Sequence, residues 1–373
     1  MKKILSILLM AAAMTACTND DQYSWDEDFA DLTATDTIRI GITWSGSAVA
    51  VTGDSYGYVS TDGGKVTVTS ATNKFLQLTL SGTSTNGSLI IYSWKKLGIV
   101  LNNLQLTNPN GPAINNQCSK TFVVTLPANT ASTLTDGTTY TEQTFDQKGT
   151  LFSEGQIYFQ GTGSLTVNGH AKNGIASDDY IVFDGGTVSI NVADTGTNGI
   201  KVNDGFTMNG GTLAIGVSAP GARGIKCDAR TTFNGGTLAI TTTGDCKIET
   251  TDGVSDTTSC AGIKSDSLLT INAGTITINS SGDGGKGINC DENVDMYGGT
   301  LTVTTTGSNN IGKPKGVKSS TGIIVRGGSF TVKVSKSWAC DNGTDSEDPT
   351  QRVTIVGSPT TSTLSKRSVI IKY

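Results

Sequence analysis

Residues 199–217 and 224–242 read GIKVNDGFTMNGGTLAIGV and GIKCDARTTFNGGTLAITT, which are two copies of one pattern. A glycine followed by isoleucine or valine recurs six times, and a Gly-Gly or Ala-Gly pair begins eleven residues after each of these glycines. The repeats begin at Gly174, Gly199, Gly224, Gly262, Gly287 and Gly316, and most spacings are 25 residues. Self-similarity at such a period indicates stacked structural units.

Apolar residues occupy fixed places within each repeat. Counted from the first glycine as position 0, they fall at +1, +7, +9, +14 and +16. Alternation by two is typical of strands with one buried face, and each repeat has three such segments broken by glycine. The pattern predicts an all-β fold in which each repeat forms one three-sided coil of a parallel β-helix, with about 25 residues per coil. Weaker repeats before residue 173 fit the same plan, so we expect a single β-helix domain over residues 37–373 with terminal caps.

The composition suits many short strands and turns. The 373 residues include 47 Gly and 7 Pro, and only 16 % are charged. Low charge together with low apolar content argues against a helical globule and a coiled coil. The chain has one histidine, His170, which disfavours a histidine-based metal site or a Ser-His-Asp triad.

The N-terminus resembles a bacterial lipoprotein signal. Lys2 and Lys3 precede a short apolar run, and small residues lead into Cys17. The run is too short to span a bilayer, so we expect residues 1–16 to be a signal peptide and Cys17 to carry the lipid. The alternative is a secreted protein with an ordinary cleavage site.

Charge is concentrated behind the lipidation site. Residues 18–36 hold seven acidic residues and no basic ones, whereas the chain from Thr37 onward holds 25 of each sign. Residues 17–36 are therefore predicted to be a disordered acidic tether. The run Asn19-Asp20-Asp21 resembles the export tag of surface lipoproteins, which places the protein on the outer membrane at the cell surface. A neutral body without a basic stripe argues against nucleic acid as a partner.

Two outward-facing columns carry the charged residues of the repeats. Alternation places +2 and +4 on the outer side of the first strand, so successive coils stack lysines beside carboxylates on one flat face. Ammonium groups pair with uronate carboxylates, and carboxylates accept sugar hydroxyls, which makes this face a candidate polysaccharide-binding platform. The alternative is a surface that neutralises itself. The candidate carbohydrate-binding residues are Lys201, Lys226, Lys264, Lys318, Asp228, Asp266 and Asp291.

Calcium is the cofactor that these side chains suggest. Ca²⁺ takes six to eight oxygen ligands, so two neighbouring coils would have to contribute. The candidate ligands are Asp178, Asp179, Asn203, Asp204, Asp228, Asp266, Asp291 and Glu292.

Several strings resemble the bacterial carbohydrate-binding β-helix family that is related in fold to the pectate lyases. The resemblance covers residues 38–335 and implies a right-handed parallel β-helix, calcium sites and binding of plant cell-wall polysaccharide such as pectate or cellulose. The family commonly has aspartate just before Gly-Ile, and none of the six repeats does, which argues against a calcium site that relies on it. The strings are GIKCD (224–228), GIKSD (262–266), NAGTITI (272–278), VLNNL (100–104), LTDG (134–137) and LTVNG (165–169).

Cys246 and Cys260 bracket the insertion that lengthens one repeat spacing to 38 residues. We predict a disulfide between them, which would staple an exposed loop in an oxidising compartment. Cys227 and Cys290 lie two coils apart, too far for a bridge.

Three functions remain open. The favoured one is a non-catalytic surface lipoprotein that binds polysaccharide, with the membrane as its other partner and no protein partner. The second is a calcium-dependent polyuronate lyase, in which Lys226 or Lys264 beside Asp228 or Asp266 would abstract the proton. The third is an adhesin or structural role. Repetition of the same residues argues against catalysis, because no coil holds a unique constellation.

Overall fold

The computed structural model describes residues 37–251 and 253–373. The predicted signal peptide, Cys17 and the acidic tether lie outside the described residues. The described part contains 37 short strands and one 3₁₀ helix, and it has no helix long and apolar enough to cross a bilayer. The strands are β1 Thr37–Ser45, β2 Ala48–Thr52, β3 Val59–Asp62, β4 Lys65–Ser70, β5 Phe75–Ser84, β6 Ser88–Ser93, β7 Leu97–Thr107, β8 Ile114–Asn116, β9 Phe122–Leu126, β10 Ala131–Thr135, β11 Gly149–Ser153, β12 Ile157–Gly161, β13 Ser164–Gly169, β14 Asn173–Ser177, β15 Tyr180–Phe183, β16 Thr187–Val192, β17 Asn198–Val202, β18 Gly205–Met208, β19 Thr212–Val217, β20 Arg223–Cys227, β21 Arg230–Phe233, β22 Thr237–Thr242, β23 Lys247–Thr251, β24 Val254–Thr258, β25 Ala261–Ser265, β26 Leu269–Ile271, β27 Thr275–Ser280, β28 Lys286–Cys290, β29 Val294–Met296, β30 Thr300–Thr305, β31 Lys315–Ser319, β32 Ile323–Val325, β33 Ser329–Val334, β34 Trp338–Asp341, β35 Thr354–Ile355, β36 Thr361–Leu364 and β37 Ser368–Lys372, and the 3₁₀ helix is Pro349–Arg352.

These strands form a parallel β-helix of about 11 turns with about 25 residues per coil, which confirms the predicted fold class. The first strand of each coil joins a twelve-stranded sheet that runs from β3 and β4 through β11, β14, β17, β20, β25, β28 and β31 to β34. The other strands of the coils form a 23-stranded sheet around the remaining sides. The twelve-stranded sheet therefore offers one continuous outer face along the axis.

Two glycine positions explain the repeat. The glycine at position 0 faces the core, where a Cβ on Gly224 would lie 2.5 Å from Cγ2 of Ile240, at +16 of the same coil. The second glycine of the later pair turns the chain with a positive φ, as at Gly236, where φ is 76°. A side chain is excluded at the first position by contact and disfavoured at the second by backbone conformation.

The core consists of side-chain ladders along the axis. The residues at +1 pair in register from coil to coil and are fully buried, as the repeat predicts: Ile175, Ile200, Ile225, Ile263, Ile288 and Val317. A second ladder includes four aromatic rings, Phe159, Phe183, Phe206 and Phe233, with neighbouring centroids 4.4–5.8 Å apart. Stacked identical positions thus bury apolar area without long-range sequence complexity.

Both ends of the stack carry antiparallel strands. At the N-terminal end β2 lies antiparallel on β1, and at the C-terminal end β37 lies antiparallel on β33. The Trp338 ring in β34 is covered by the Arg352 guanidinium, 3.7 Å from the ring centroid, and by the Lys366 ammonium at 4.5 Å. These contacts close the last coil.

The insertion between the third and fourth repeats forms an antiparallel hairpin of β23 and β24. Cys246 and Cys260 flank the base of this hairpin, and both are buried free thiols in the structure. The Cys260 thiol donates a hydrogen bond to the Cys246 sulfur. The two sulfurs are neighbours, and the disulfide between them stays a prediction.

Candidate functional site

The outer face of the twelve-stranded sheet presents the predicted columns. From β11 to β31 the +2 positions pair directly from coil to coil, which confirms the alignment of the lysines. With strands about 4.8 Å apart, these seven coils span about 29 Å along the axis. The +2 column is Phe152, Ala176, Lys201, Lys226, Lys264, Asn289 and Lys318, and the +4 column is Glu154, Asp178, Asn203, Asp228, Asp266, Asp291 and Ser320.

The middle of this face is a continuous ladder of ion pairs. Lys226 donates to Asp228 in its own coil at 2.7 Å and to Asp266 in the next coil. Lys264 repeats the arrangement, donating to Asp266 at 2.8 Å and to Asp291 at 2.5 Å. We call the set Lys201, Lys226, Lys264, Asp228, Asp266 and Asp291 the Lys–Asp ladder.

The ladder begins at Lys201, which donates to Oδ1 of Asn203 at 2.8 Å and to Asp228. Burial would raise the pKa of Asp228, but hydrogen bonds from Lys201 and Lys226 outweigh it and lower that pKa. Burial and the bonds from Lys226 and Lys264 act in the same way on Asp266, whose pKa is also lowered. Three lysines and three aspartates thus neutralise one another across four coils.

Lys318, the fourth predicted lysine, lies outside this ladder. Its own coil has Ser320 at +4 where the ladder coils have aspartate. Within residues 37–251 and 253–373 no carboxylate lies within ion-pair distance of its ammonium group. The four lysines that the sequence treats as equivalent are therefore of two kinds.

An acidic cluster occupies the N-terminal end of the same face. Ligand oxygens of Asp146, Glu154 and Asp178 all lie within 4.8 Å of one another. The Lys148 ammonium donates to Oδ2 of Asp146 at 2.6 Å and to Oδ2 of Asp178 at 2.5 Å. Burial and the charges of Asp178 and Asp146 raise the pKa of Glu154 to about 7. The three carboxylates are thus crowded, and Lys148 is their internal counter-ion.

The eight predicted calcium ligands do not form one site. Asp178 alone belongs to the cluster of converging carboxylates found in the described residues. Asn203 directs its amide toward Oδ1 of Asp178 at 3.3 Å, while its oxygen accepts from Lys201. The remaining six divide between the ladder, which holds Asp228, Asp266 and Asp291, and the +5 column, which holds Asp179, Asp204 and Glu292.

The +5 column faces a different corner of the coil. Burial and the charge of Asp204 in the next coil raise the pKa of Asp179. Glu292 lies further along and accepts a hydrogen bond from Ser267 at 3.0 Å. Two stacked carboxylates without a third make this corner a poorer calcium site than the acidic cluster.

Sequence reasoning missed Asp146 and Glu154. Glu154 sits one coil before Asp178 in the +4 column, but its coil has Thr150 at position 0 in place of glycine, so the repeat is not visible there. Asp146 belongs to an irregular segment between β10 and β11 that has no period. Extending the register one coil upstream would have found Glu154, whereas no sequence signal points to Asp146.

An open cleft adjoins the acidic cluster and shares Asp146 with it. Its lining includes the rings of Tyr140 and Phe145, and the side chain of Lys172. The Tyr140 hydroxyl donates to Asp136 at 2.6 Å, and the Lys172 ammonium lies 5.4 Å from the centre of the Tyr140 ring. An aromatic surface beside hydrogen-bonding groups can accept a sugar ring.

Comparisons with known proteins agree with this architecture. The fold and the charged face define a solenoid with a long ligand-accessible surface. A model of the family described as "Carbohydrate-binding domain-containing protein" matches residues 62–231 and 215–310, about two thirds of the chain. The chain therefore belongs to this family, which confirms the resemblance drawn from its sequence.

A solved structure shares the fold. It is titled "Structure of the polysaccharide lyase-like protein from C. thermocellum, Gadolinium derivative" and is 23 % identical in sequence, with a TM-score of 0.58. The alignment covers 69 % of this chain and 97 % of that one. No curated protein matches the chain significantly.

Proposed function

We propose that this protein is a non-catalytic, lipid-anchored protein of the outer membrane surface that binds an extended polysaccharide along the outer face of the twelve-stranded sheet. The observation that carries the proposal is the length and regularity of that face, on which equivalent polar groups recur at every coil. Family membership supports carbohydrate as the ligand class. The anchor at Cys17 and the surface location rest on the sequence pattern of residues 1–21.

The Lys–Asp ladder retains hydrogen-bonding capacity after its internal pairing. An ammonium group has three donors, and Lys226 uses them on two aspartates, while a carboxylate offers about four acceptor positions. Sugar hydroxyls both donate and accept, so they can bridge neighbouring rungs without breaking them. Exposed rungs give small individual gains, and affinity would accumulate over several coils.

The same pairing argues against the lyase alternative. A general base needs a free lone pair, and an ammonium group that donates to two carboxylates has none. Lys226 and Lys264 are both held in this way, so neither is poised to abstract a proton. The rungs are also alike, which leaves no distinct catalytic coil.

We further propose that the acidic cluster of Asp146, Glu154 and Asp178 holds the calcium ion. Three carboxylates can provide up to six oxygens when each is bidentate, which is within the range that Ca²⁺ needs. Their oxygens already converge, and Lys148 occupies the position of a cation among them. When bound, Ca²⁺ would add a positively charged coordination centre for glycan carboxylates or hydroxyls beside the cleft.

Binding and catalysis can be separated in one set of measurements. Isothermal titration calorimetry with pectate, cellulose oligomers and xylan, in calcium and in EDTA, should detect binding of at least one polymer. No unsaturated product absorbing in the ultraviolet should appear from pectate with Ca²⁺ between pH 7 and 10. Appearance of that product would establish the lyase, and absence of binding to every polymer would contradict the proposal.

A further inference from the structure

The cationic end of the outer face is where the pairing of charges stops. The +2 column continues past the ladder as Asn289 and then Lys318. Lys286 precedes Asn289 in β28, and its ammonium donates only to the Ser259 hydroxyl among protein oxygens. In the described part of the chain neither Lys286 nor Lys318 has a carboxylate partner.

The nearest carboxylates are committed elsewhere. Asp291 is bound by Lys264, on the side away from Lys318. Asp341, beside Lys318 in register, accepts from Lys315 and from Nη1 of Arg352 at 2.9 Å. One carboxylate thus serves two cations here, and nothing remains to neutralise Lys318.

The surroundings of Lys286 show that its charge is poorly compensated. Burial and the like charges of Lys318 and Lys315 lower the pKa of Lys286, although the sulfurs of Cys246 and Cys260 oppose this. Oδ1 of Asn289, between the lysine positions, is buried and has no hydrogen-bond donor. The locus therefore combines two unpaired cations with an unsatisfied acceptor.

We infer that Lys286 and Lys318 form an anion subsite that selects uronate-bearing polysaccharides over neutral ones. A carboxylate placed between adjacent coils would meet both ammonium groups, and a neighbouring sugar hydroxyl could donate to Asn289. The subsite lies on the same face as the Lys–Asp ladder, so a single polymer chain can contact both. This inference rests on the proposed function, because it names the substrate class of that face.

The test compares two lysines at the same column position. Lys318→Gln removes an unpaired cation, whereas Lys264→Gln removes a paired one and serves as the matched control. We expect Lys318→Gln to weaken binding of de-esterified polygalacturonate on the order of fivefold at low salt, and Lys264→Gln to change it less than about twofold. Binding of fully methyl-esterified pectin should be the same in both variants, since its carboxyl groups carry no charge.

Several results would overturn the inference. Equal effects of the two substitutions, or an equal loss for esterified and de-esterified polymer, would show that Lys318 does not read charge. Binding of inorganic phosphate or monomeric galacturonate as tight as that of the polymer would assign the locus to small anions. If wild-type protein binds no polymer at all, the proposed function fails and the subsite fails with it. If it binds neutral glucan as well as pectate, only the subsite fails.

Discussion

Lys148 shows how one side chain can set the properties of a site. Its ammonium lies among three carboxylates that would otherwise repel one another. Burial alone would lower the pKa of Lys148, but hydrogen bonds to Asp146 and Asp178 raise it. The residue stabilises the metal-free cluster and must leave when a cation with two charges enters.

Replacing Lys148 should therefore strengthen calcium binding. Lys148→Gln leaves the three carboxylates without their counter-ion, so we expect Ca²⁺ affinity to rise on the order of tenfold in calorimetry. The melting temperature in EDTA should fall, because the carboxylates then repel one another. Lys172→Gln is the matched control, since Lys172 lines the adjoining cleft without bonding to these carboxylates. Unchanged or weaker affinity in Lys148→Gln would place the calcium elsewhere.

The thiol pair at the hairpin base is the second feature at this scale. The hydrogen bond from Cys260 lowers the pKa of Cys246 to about 6, and the charge of Lys286 acts in the same direction despite burial. A thiolate is the reactive form, so Cys246 is reactive at neutral pH. Burial instead raises the pKa of Cys290 to about 11.

Oxidation should join Cys246 to Cys260 with a distinctive pH dependence. A small oxidant is required, because Cys246 exposes only 4 % of its surface. With hydrogen peroxide the bridge should form at a rate that rises through pH 6 and levels near pH 7, whereas an ordinary thiol continues to gain until about pH 9. Mass spectrometry of a non-reduced digest measures the bridge, and Cys290 is the internal control that stays reduced. Two free thiols in fully oxidised protein would refute it.

At the scale of the element, the first strand of each coil is joined to the next by side chains as well as by the backbone. Asp266 accepts from lysines of two successive coils, so each rung of the Lys–Asp ladder links neighbouring strands. Such exposed rungs are individually weak. Their regular spacing also prevents the like charges stacked along each column from opposing the fold.

The ladder should contribute stability only while its aspartates are ionised. The pKa of Asp266 is lower in the folded state than in the unfolded chain, so its contribution is full above about pH 4 and is lost as pH falls through the folded value. Asp266→Asn should therefore cost about 0.5 kcal/mol of unfolding free energy at pH 7 and almost nothing at pH 2.

Denaturant titration at the two pH values measures this difference. Asp256→Asn, on the exposed hairpin and without an ion pair in the described residues, is the control that should change little at either pH. A cost that persists at pH 2 would mean that Asp266 acts through packing and not through charge.

At the scale of the whole molecule, the sequence determines the fold more fully than the site. Six glycine-led repeats were sufficient to place Ile175 through Val317 in one buried column, because each coil contacts only its neighbours and the pattern is therefore local. The site depends on side chains that the period does not control. Lys148 and Asp146 come from an irregular segment, and the split between paired and unpaired lysines follows from single substitutions such as Ser320 at +4.

The antiparallel strands at the two ends also determine how many copies of the chain can join. A parallel stack is open-ended in principle, since each exposed edge is a template on which a further coil of another molecule could continue the same ladders. β2 and β37 reverse the chain direction at that edge, so the hydrogen-bonding pattern of the next coil no longer matches. The protein is thus a terminated segment of a geometry that would otherwise grow into a filament, and this allows it to be crowded at a surface without polymerising.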